Sequence, residues 1–264
     1  MADWNSAQYL KFVRQRTQPA RDLAAMINIA DPREAIDIGC GPANSTAALM
    51  ERFPRAHVIG ADNSTDMLRR ARTACPAADF IELDAGGDIS QHYGRYDVVF
   101  SNACIQWIPD HAGLIPRLFA MLRSGGTLAV QIPMNYDEPV HRITRRLAET
   151  ERWARLRSVR TLHTLSQGEY FDILSALTER FEMKQITYLH RMPSAESIIE
   201  WYKSTGLRPY LEALPQEEAQ EFEREVLEQI RQEYPPQKNG EIIFRFPRLL
   251  FAAEKCAVGE QEGI

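Results

Sequence analysis

Residues 35–46 read Ala-Ile-Asp-Ile-Gly-Cys-Gly-Pro-Ala-Asn-Ser-Thr, a β-rich run that breaks into two closely spaced glycines and then opens a helix. Glycine has no Cβ, so at Gly39 and Gly41 the backbone can turn sharply and approach a bound molecule closely. The unbonded N–H groups at the start of the next helix, where Asn44 lies, attract a carboxylate or phosphate. A nucleotide-like cofactor is the chemistry this spacing serves. A dinucleotide fingerprint, G-x-G-x-x-G from Gly39, would require glycine at position 44, and the chain has Asn44 there. Asp62 follows 23 positions after Gly39, at the end of another β-rich run. A carboxylate there can accept both hydroxyls of a ribose, with Asn63 and Met67 beside it as further cofactor candidates. Read alone, Asp62 is equally a cap for the helix that follows.

Parallel strands alternating with helices are what would hold those groups together. The pattern predicts strands over 35–39, 57–62, 79–84, 96–102 and 127–132. Between the second and third, Met67, Leu68, Ala71, Ala74 and Cys75 recur at helical spacing behind Ser64 as N-cap and Asp66 in the first turn. Beyond residue 133 the alternation stops. Residues 138–160 read as helical and arginine-rich, and 182–190 and 242–253 add two late strands. Pro247 in the last of these suits an edge or a bulge. Between the late strands Ser194 caps a helix ending near Gly206, and Ala219, Phe222, Val226, Ile230 and Tyr234 mark another after Pro215. We therefore expect an α/β fold, a doubly wound and mostly parallel seven-stranded sheet with a helical cap inserted before the last strand. The chain reads as one domain over 1–264, with a helical lid at 1–30, a cofactor-binding core at 31–135 and the cap at 193–240. In such a sheet ligands sit at the carboxyl ends of the strands, so Asn102, Gln106 and Trp107 at the end of the fourth strand face the cofactor or its co-substrate. Taken singly, Asn102 is also a turn cap and Trp107 a core residue.

At 264 residues the chain can bury one large core, or one core with a modest cap, and its net charge of −5 argues against broad nucleic-acid binding. The arginines at 142, 145, 146, 152, 155, 157 and 160 read as a solvated face. Cys40, Cys75, Cys104 and Cys256 form no C-x-x-C pair, so neither a metal site nor a dithiol motif is expected and reduced thiols fit best. No apolar run spans a bilayer, and the N-terminus lacks a basic region followed by an apolar one. The expected location is the cytoplasm, with no membrane partner.

Asp37, two residues before Gly39, completes a D-x-G-x-G pattern that resembles the class I methyltransferases, although Ala43 stands where a third glycine is usual. The resemblance implies S-adenosylmethionine as cofactor, with Asp37 reaching its amino group and Asp84-Ala85 lying at the adenine. Leu122-Arg-Ser-Gly-Gly-Thr before the fifth strand keeps the same order. By itself an Asp at a strand end is more often a turn former. More narrowly, Asp3-Trp-Asn with Tyr9, Phe12 and Arg16, Ile105-Gln-Trp-Ile-Pro-Asp-His, Gly206-Leu-Arg-Pro-Tyr, Gln237-Lys-Asn-Gly and Phe246-Pro-Arg-Leu resemble the trans-aconitate 2-methyltransferase family from residue 3 to about 255. That implies methyl transfer to one carboxylate of a small tricarboxylate, giving a monomethyl ester and S-adenosylhomocysteine.

Such an acceptor is ionised at neutral pH and needs no general base, so no catalytic His or Cys is called for. The protein must position the groups, exclude water and neutralise the remaining carboxylates, a task for the planar arginine fork. Arg16, Arg208 and Arg248 are the candidates, with Tyr9, Tyr136, His163 and Tyr202 as further donors. Each arginine has the alternative of a surface ion pair. Other acceptors (another small acid, a phenol, an amine), a non-catalytic S-adenosylmethionine-binding protein, and an RNA methyltransferase using the 138–160 arginines stay open at this level. A nicotinamide-dependent reductase is disfavoured, because Asn44 stands where its fingerprint needs glycine. Oligomeric state is not legible.

Overall fold

The structure is a computed structural model that describes residues 13–159, 163–203 and 205–257, with side chains from residue 17. The first predicted lid residues and Tyr9 lie outside the described residues, as does the side chain of Arg16.

Seven strands form one sheet: β1 (Glu34–Ile38), β2 (His57–Asp62), β3 (Asp79–Glu82), β4 (Tyr96–Asn102), β5 (Leu122–Pro133), β6 (Phe181–Met192) and β7 (Ile242–Glu254). Their order is β3-β2-β1-β4-β5-β7-β6. β1 pairs in parallel with both β2 and β4, and β4 with β5, while β7 runs antiparallel to β5. The order reverses between β1 and β4, so the crevice of an open α/β sheet lies where Gly39 and Asn102 leave their strands. β1 and β4 are buried almost throughout, as strands covered on both faces must be. The helices are α1 (Val13–Ala25), α2 (Asn44–Arg52), α3 (Thr65–Ala74), α4 (His111–Ala120), α5 (Pro139–Ala148), α6 (Gln167–Leu177), α7 (Ala195–Lys203), α8 (Arg208–Glu212) and α9 (Gln216–Glu233).

Pro247 does not mark an edge. β7 lies between β5 and β6, and its ladder with β5 runs from Arg248 to Glu254, so the residue without an N–H stands just before the first rung. Ser64 caps α3 as expected, its hydroxyl accepting from the Met67 N–H at 3.4 Å.

The chain divides into two compact units: the described residues of 14–133, 162–186 and 248–264, and those of 134–161 and 187–247. The first, here the sheet unit, packs Leu23 of α1 and Ile27 just after it, with Ala48 and Leu49 of α2, against Ala35, Val98, Phe100, Ala129 and Leu250. The second, here the helical unit, contains the predicted 193–240 segment together with 134–161. Its core joins Ile143 and Trp153 to Trp201, Phe222, Val226, Ile230 and Phe244. Trp153 meets the Phe222 ring edge-on, with centroids 5.1 Å apart. The arginines of this unit are laced to α9: Arg142 to Glu233, Arg146 to Gln229, Arg152 to Glu221 and Glu225, and Arg155 to Glu218. No helix among the described residues is long and apolar enough to cross a membrane.

Candidate cofactor site

β1 delivers the chain into a glycine loop whose backbone is left-handed at Gly39 (φ 72°) and Gly41 (φ 53°). A Cβ at Gly39 would stand 2.1 Å from Cys104 Sγ, so the loop closes on the segment leaving β4 with no room for a side chain. The N–H groups of Gly39 and Cys40 both donate to the Ala61 carbonyl, at 2.7 and 3.0 Å. Gly41 donates to Asp62 Oδ2 at 2.9 Å, and Asp62 Oδ1 accepts from the Ser64 N–H at 2.9 Å. Asp62 therefore ties the glycine loop to the start of α3. An ionised carboxylate has about four acceptor positions, so two further hydrogen bonds remain within its capacity.

Asp37 is fully buried. Its Oδ2 accepts from the hydroxyls of Ser45 and Thr46 on α2, each at 2.7 Å. Its Oδ1 is buried with no hydrogen-bond partner among the described residues. Burial pushes the carboxyl up to about 6 against the pull of the two hydroxyls, and Asp62 adds a smaller upward push. Cys104 is pushed up to about 12 by burial and then by the carboxylates of Asp62, Asp37 and Asp84. Three carboxylates from three strand ends thus converge on one spot.

Two more acceptors share the property of Asp37. Asn102 Oδ1 and Gln106 Oε1 are buried without a partner among the described residues, while Gln106 Nε2 donates to the Ala103 carbonyl at 2.6 Å. A cluster of buried acceptors that includes a carboxylate fits a cationic N–H donor such as a cofactor ammonium, because a buried acceptor is costly until something donates to it. Asp84 is exposed and accepts from the Gly86 N–H at 2.9 Å, with Ala85 buried behind it. Asn44 is half-buried at the start of α2, Asn63 is exposed, Met67 is half-buried in the first turn of α3, and Trp107 is 40% exposed.

The anion-binding candidates divide between the two units. Arg248 is buried on β7 in the sheet unit. His163 lies in the same unit, and its N–H donates to the Gln106 carbonyl at 2.9 Å. In the helical unit, Tyr202 is buried within the apolar core, its hydroxyl 3.3 Å from His141 Nδ1. Tyr136 is exposed, with the Arg145 guanidinium stacked 3.3 Å from its ring centre. Arg208 is exposed and bonded to Glu212 at 2.6 Å.

Sequence reasoning passed over Ser45, Thr46, His111, Tyr170 and Gln131. The first two follow the glycine loop directly, and hydroxyls there could have been read as partners of Asp37. Gln131 is a lone amide in a run of apolar strand residues, a signal visible in the sequence.

A methyltransferase-domain family matches residues 35–126 of the chain. Trans-aconitate 2-methyltransferase from Rhodopseudomonas palustris (strain BisB5) is 42% identical over 97% of this chain and 100% of its own length. The protein of the same name from Azoarcus sp. (strain BH72) is 43% identical over 96% of this chain and 99% of its own. Among solved structures, the YcgJ protein of Bacillus subtilis matches with a TM-score of 0.59 at 15% identity, over 90% of this chain and 98% of that one. Phosphoethanolamine N-methyltransferase 2 of Haemonchus contortus, in complex with S-adenosyl-L-methionine, matches with a TM-score of 0.53 at 18% identity, over 90% of this chain and 52% of that one. At such identities these two structures speak for the fold alone.

Proposed function

The chain belongs to the trans-aconitate 2-methyltransferase family, and from that premise we propose that it methylates one carboxylate of trans-aconitate, leaving the monomethyl ester and S-adenosylhomocysteine. The observation that carries this reading is a likeness of above 40% identity running the length of both chains. When bound, S-adenosylmethionine supplies a methyl group on a sulfonium, which a carboxylate oxygen can take without a base because it is already ionised at neutral pH. The chain's own residues bind, orient and keep water away.

Asp37 Oδ1, with Asn102 and Gln106, would accept from the cofactor's amino group, and the buried, unsatisfied oxygens support that role. Asp62 would take the ribose hydroxyls and Asp84 with Ala85 the adenine. Gly39, Gly41, Asn44, Asn63, Met67 and Trp107 would complete the set. For the acceptor we place Arg248 first, since burial gives a guanidinium–carboxylate pair more strength than it has in water. Arg16, Arg208, Tyr9, Tyr136, His163 and Tyr202 are the further candidates.

A small acid rather than RNA is supported by the pairing of Arg142, Arg152 and Arg155 with glutamates of α9, which neutralises the basic segment within the fold. A reducing cytoplasm is supported by Cys40, Cys75, Cys104 and Cys256, none of them in a disulfide. Methyl transfer from labelled S-adenosylmethionine to trans-aconitate, with cis-aconitate, citrate and buffer as comparisons, tests the reading. Rapid transfer to trans-aconitate is expected. Cofactor binding without transfer to any of these acids would remove the acceptor assignment and leave the cofactor site standing.

A further inference from the structure

We propose that the side-chain amide of Gln131 binds a carboxylate of the acceptor beside Arg248; the proposal rests on the carboxyl-methyltransferase reading above. Gln131 sits on β5 in the run Thr-Leu-Ala-Val-Gln-Ile-Pro and is 0% exposed. Both its Nε2 and its Oε1 are buried, and neither has a hydrogen-bond partner among the described residues. Because both ends are unsatisfied, the choice between the two amide orientations does not alter the argument. An amide stripped of water and left unbonded destabilises the fold, whereas an apolar side chain of the same length would not. Groups held at such a disadvantage mark places where a fold serves binding.

The register shows where this amide stands. Gln131 is the parallel-ladder partner of Asn102 and the antiparallel partner of Leu250. Asp37 pairs with Phe100, two residues before Asn102, and Arg248 lies two residues from Leu250. Side chains alternate along a strand and register partners share a face, so Asp37, Asn102, Gln131 and Arg248 project from one face of the sheet. Their positions are the carboxyl ends of β1, β4 and β5, with Arg248 facing Pro133 at the end of β5.

Along that row the chemistry changes sign. Asp37 and Asn102 offer unsatisfied acceptor oxygens, which suit a cationic cofactor group. Gln131 offers an amide N–H and Arg248 a guanidinium, which suit an anion. Asn102 and Gln131 are register neighbours, yet among the described residues no hydrogen bond consumes the Gln131 side-chain amide. An acceptor carboxylate reaching Gln131 and Arg248 would therefore lie next to the cofactor end of the same row.

The test compares the parent with Gln131→Met, which keeps length and loses both hydrogen-bonding ends, and Gln131→Glu, which keeps shape and adds a charge opposing the acceptor. KM for trans-aconitate, kcat, calorimetric affinity for S-adenosylhomocysteine and Tm are measured for each. We expect KM to rise at least tenfold in Q131M and further in Q131E, with S-adenosylhomocysteine affinity within twofold of the parent and Tm of Q131M equal or higher. A parental KM in Q131M with a raised Tm would mean a buried amide with no ligand, and overturns the proposal. So does a fall in S-adenosylhomocysteine affinity that accounts for the whole loss. Should Q131M not fold, Q131E carries the test, and a KM at or below the parental value there overturns it. A parent that binds cofactor but leaves trans-aconitate unmethylated removes the functional reading and this proposal with it. An active parent with an indifferent Gln131 removes the proposal alone.

Discussion

Tyr170 Oη lies 2.6 Å from Nδ1 of His111, while Nε2 of the same ring lies 2.8 Å from the Ile105 carbonyl. A carbonyl can only accept, so Nε2 carries the proton and Nδ1 accepts from the tyrosine hydroxyl. Ile105 opens the 3₁₀ turn that carries Gln106 and Trp107, and the Gln106 carbonyl accepts from His163 N–H at 2.9 Å. Tyr170 is fixed in turn by α6, whose start is closed by a capping box between Ser166 and Glu169. The turn bearing a proposed cofactor ligand is thus held by a histidine and a tyrosine 59 positions apart.

Tyr170→Phe should cost about 1–3 kcal/mol, because it leaves Nδ1 of a buried imidazole without a donor. Urea unfolding should show the loss, and calorimetry a weaker affinity for S-adenosylhomocysteine as the 105–107 turn loosens. Unchanged stability would mean that the ring turns to find another donor. The pH dependence carries a second sign. Burial pushes His111 below its ordinary value of 6.5. The unfolded chain then takes up the proton first, so this group's contribution is full above about 6.5 and is lost as pH falls below it.

Asp37 gives the opposite sign on stability and a clear one on binding. Its folded value, pushed up to about 6 from 3.8, means that the folded chain holds the proton longer, so stability attributable to Asp37 falls as pH rises from about 4 to 6. Asp37→Asn removes a buried charge and should hold or raise Tm at pH 7.5. The same change should weaken cofactor affinity roughly tenfold to a hundredfold, the worth of about 1.5–3 kcal/mol for a hydrogen bond to a charged group. In the parent, affinity should be flat above pH 7 and decline below about 6, by up to about tenfold per pH unit, as the carboxyl protonates. A flat profile down to pH 5 would separate Asp37 from the cofactor's ammonium.

His57 joins the opposite end of the sheet, its Nδ1 2.9 Å from Glu34 and its Nε2 2.7 Å from Asp79. Hydrogen bonds to Asp79 and then Glu34 raise its value above 6.5. The stabilisation is therefore complete below 6.5 and disappears as pH rises through the raised value. With the ring half exposed, solvent screening keeps the effect within about 1 kcal/mol. The Tm difference between the parent and His57→Gln should be larger at pH 6 than at pH 9, and a difference independent of pH would assign the effect to packing.

The early strand–helix half of the fold was legible because its signals are local. Asp37, Gly39, Gly41 and Asp62 sit at the strand ends where alternation and turn chemistry put them, and the five early strands fall within a few residues of their predicted bounds except at the start of β5. β5 begins at Leu122 rather than 127, since Leu122 pairs with Tyr96 across a register shift that no periodicity reveals. The pairing of the 138–160 arginines with α9 was equally hidden, because it joins residues some 60 to 90 positions apart. Likewise, Pro247 within a strand spoke for an edge only until the position of β7 in the sheet was known.

Ala43, in the place of the usual third glycine, is held at φ 73° with its side chain buried. A left-handed alanine costs roughly 1–2 kcal/mol. Glycine would relieve that while adding about 0.5–1 kcal/mol of chain entropy and losing about 0.8 kcal/mol from a buried methyl. These terms nearly cancel, so Ala43→Gly should change stability by less than about 1 kcal/mol. Gly39 differs because two penalties add. Gly39→Ala combines a left-handed φ with a Cβ 2.1 Å from Cys104 Sγ and 2.3 Å from Cys104 Cβ. We expect it to abolish S-adenosylhomocysteine binding in calorimetry. Cys104→Ala should not rescue it, because the Cβ of residue 104 remains, whereas Cys104→Gly should recover part of the binding. Rescue by Cys104→Ala would show that the sulfur alone sets how tightly the glycine loop closes.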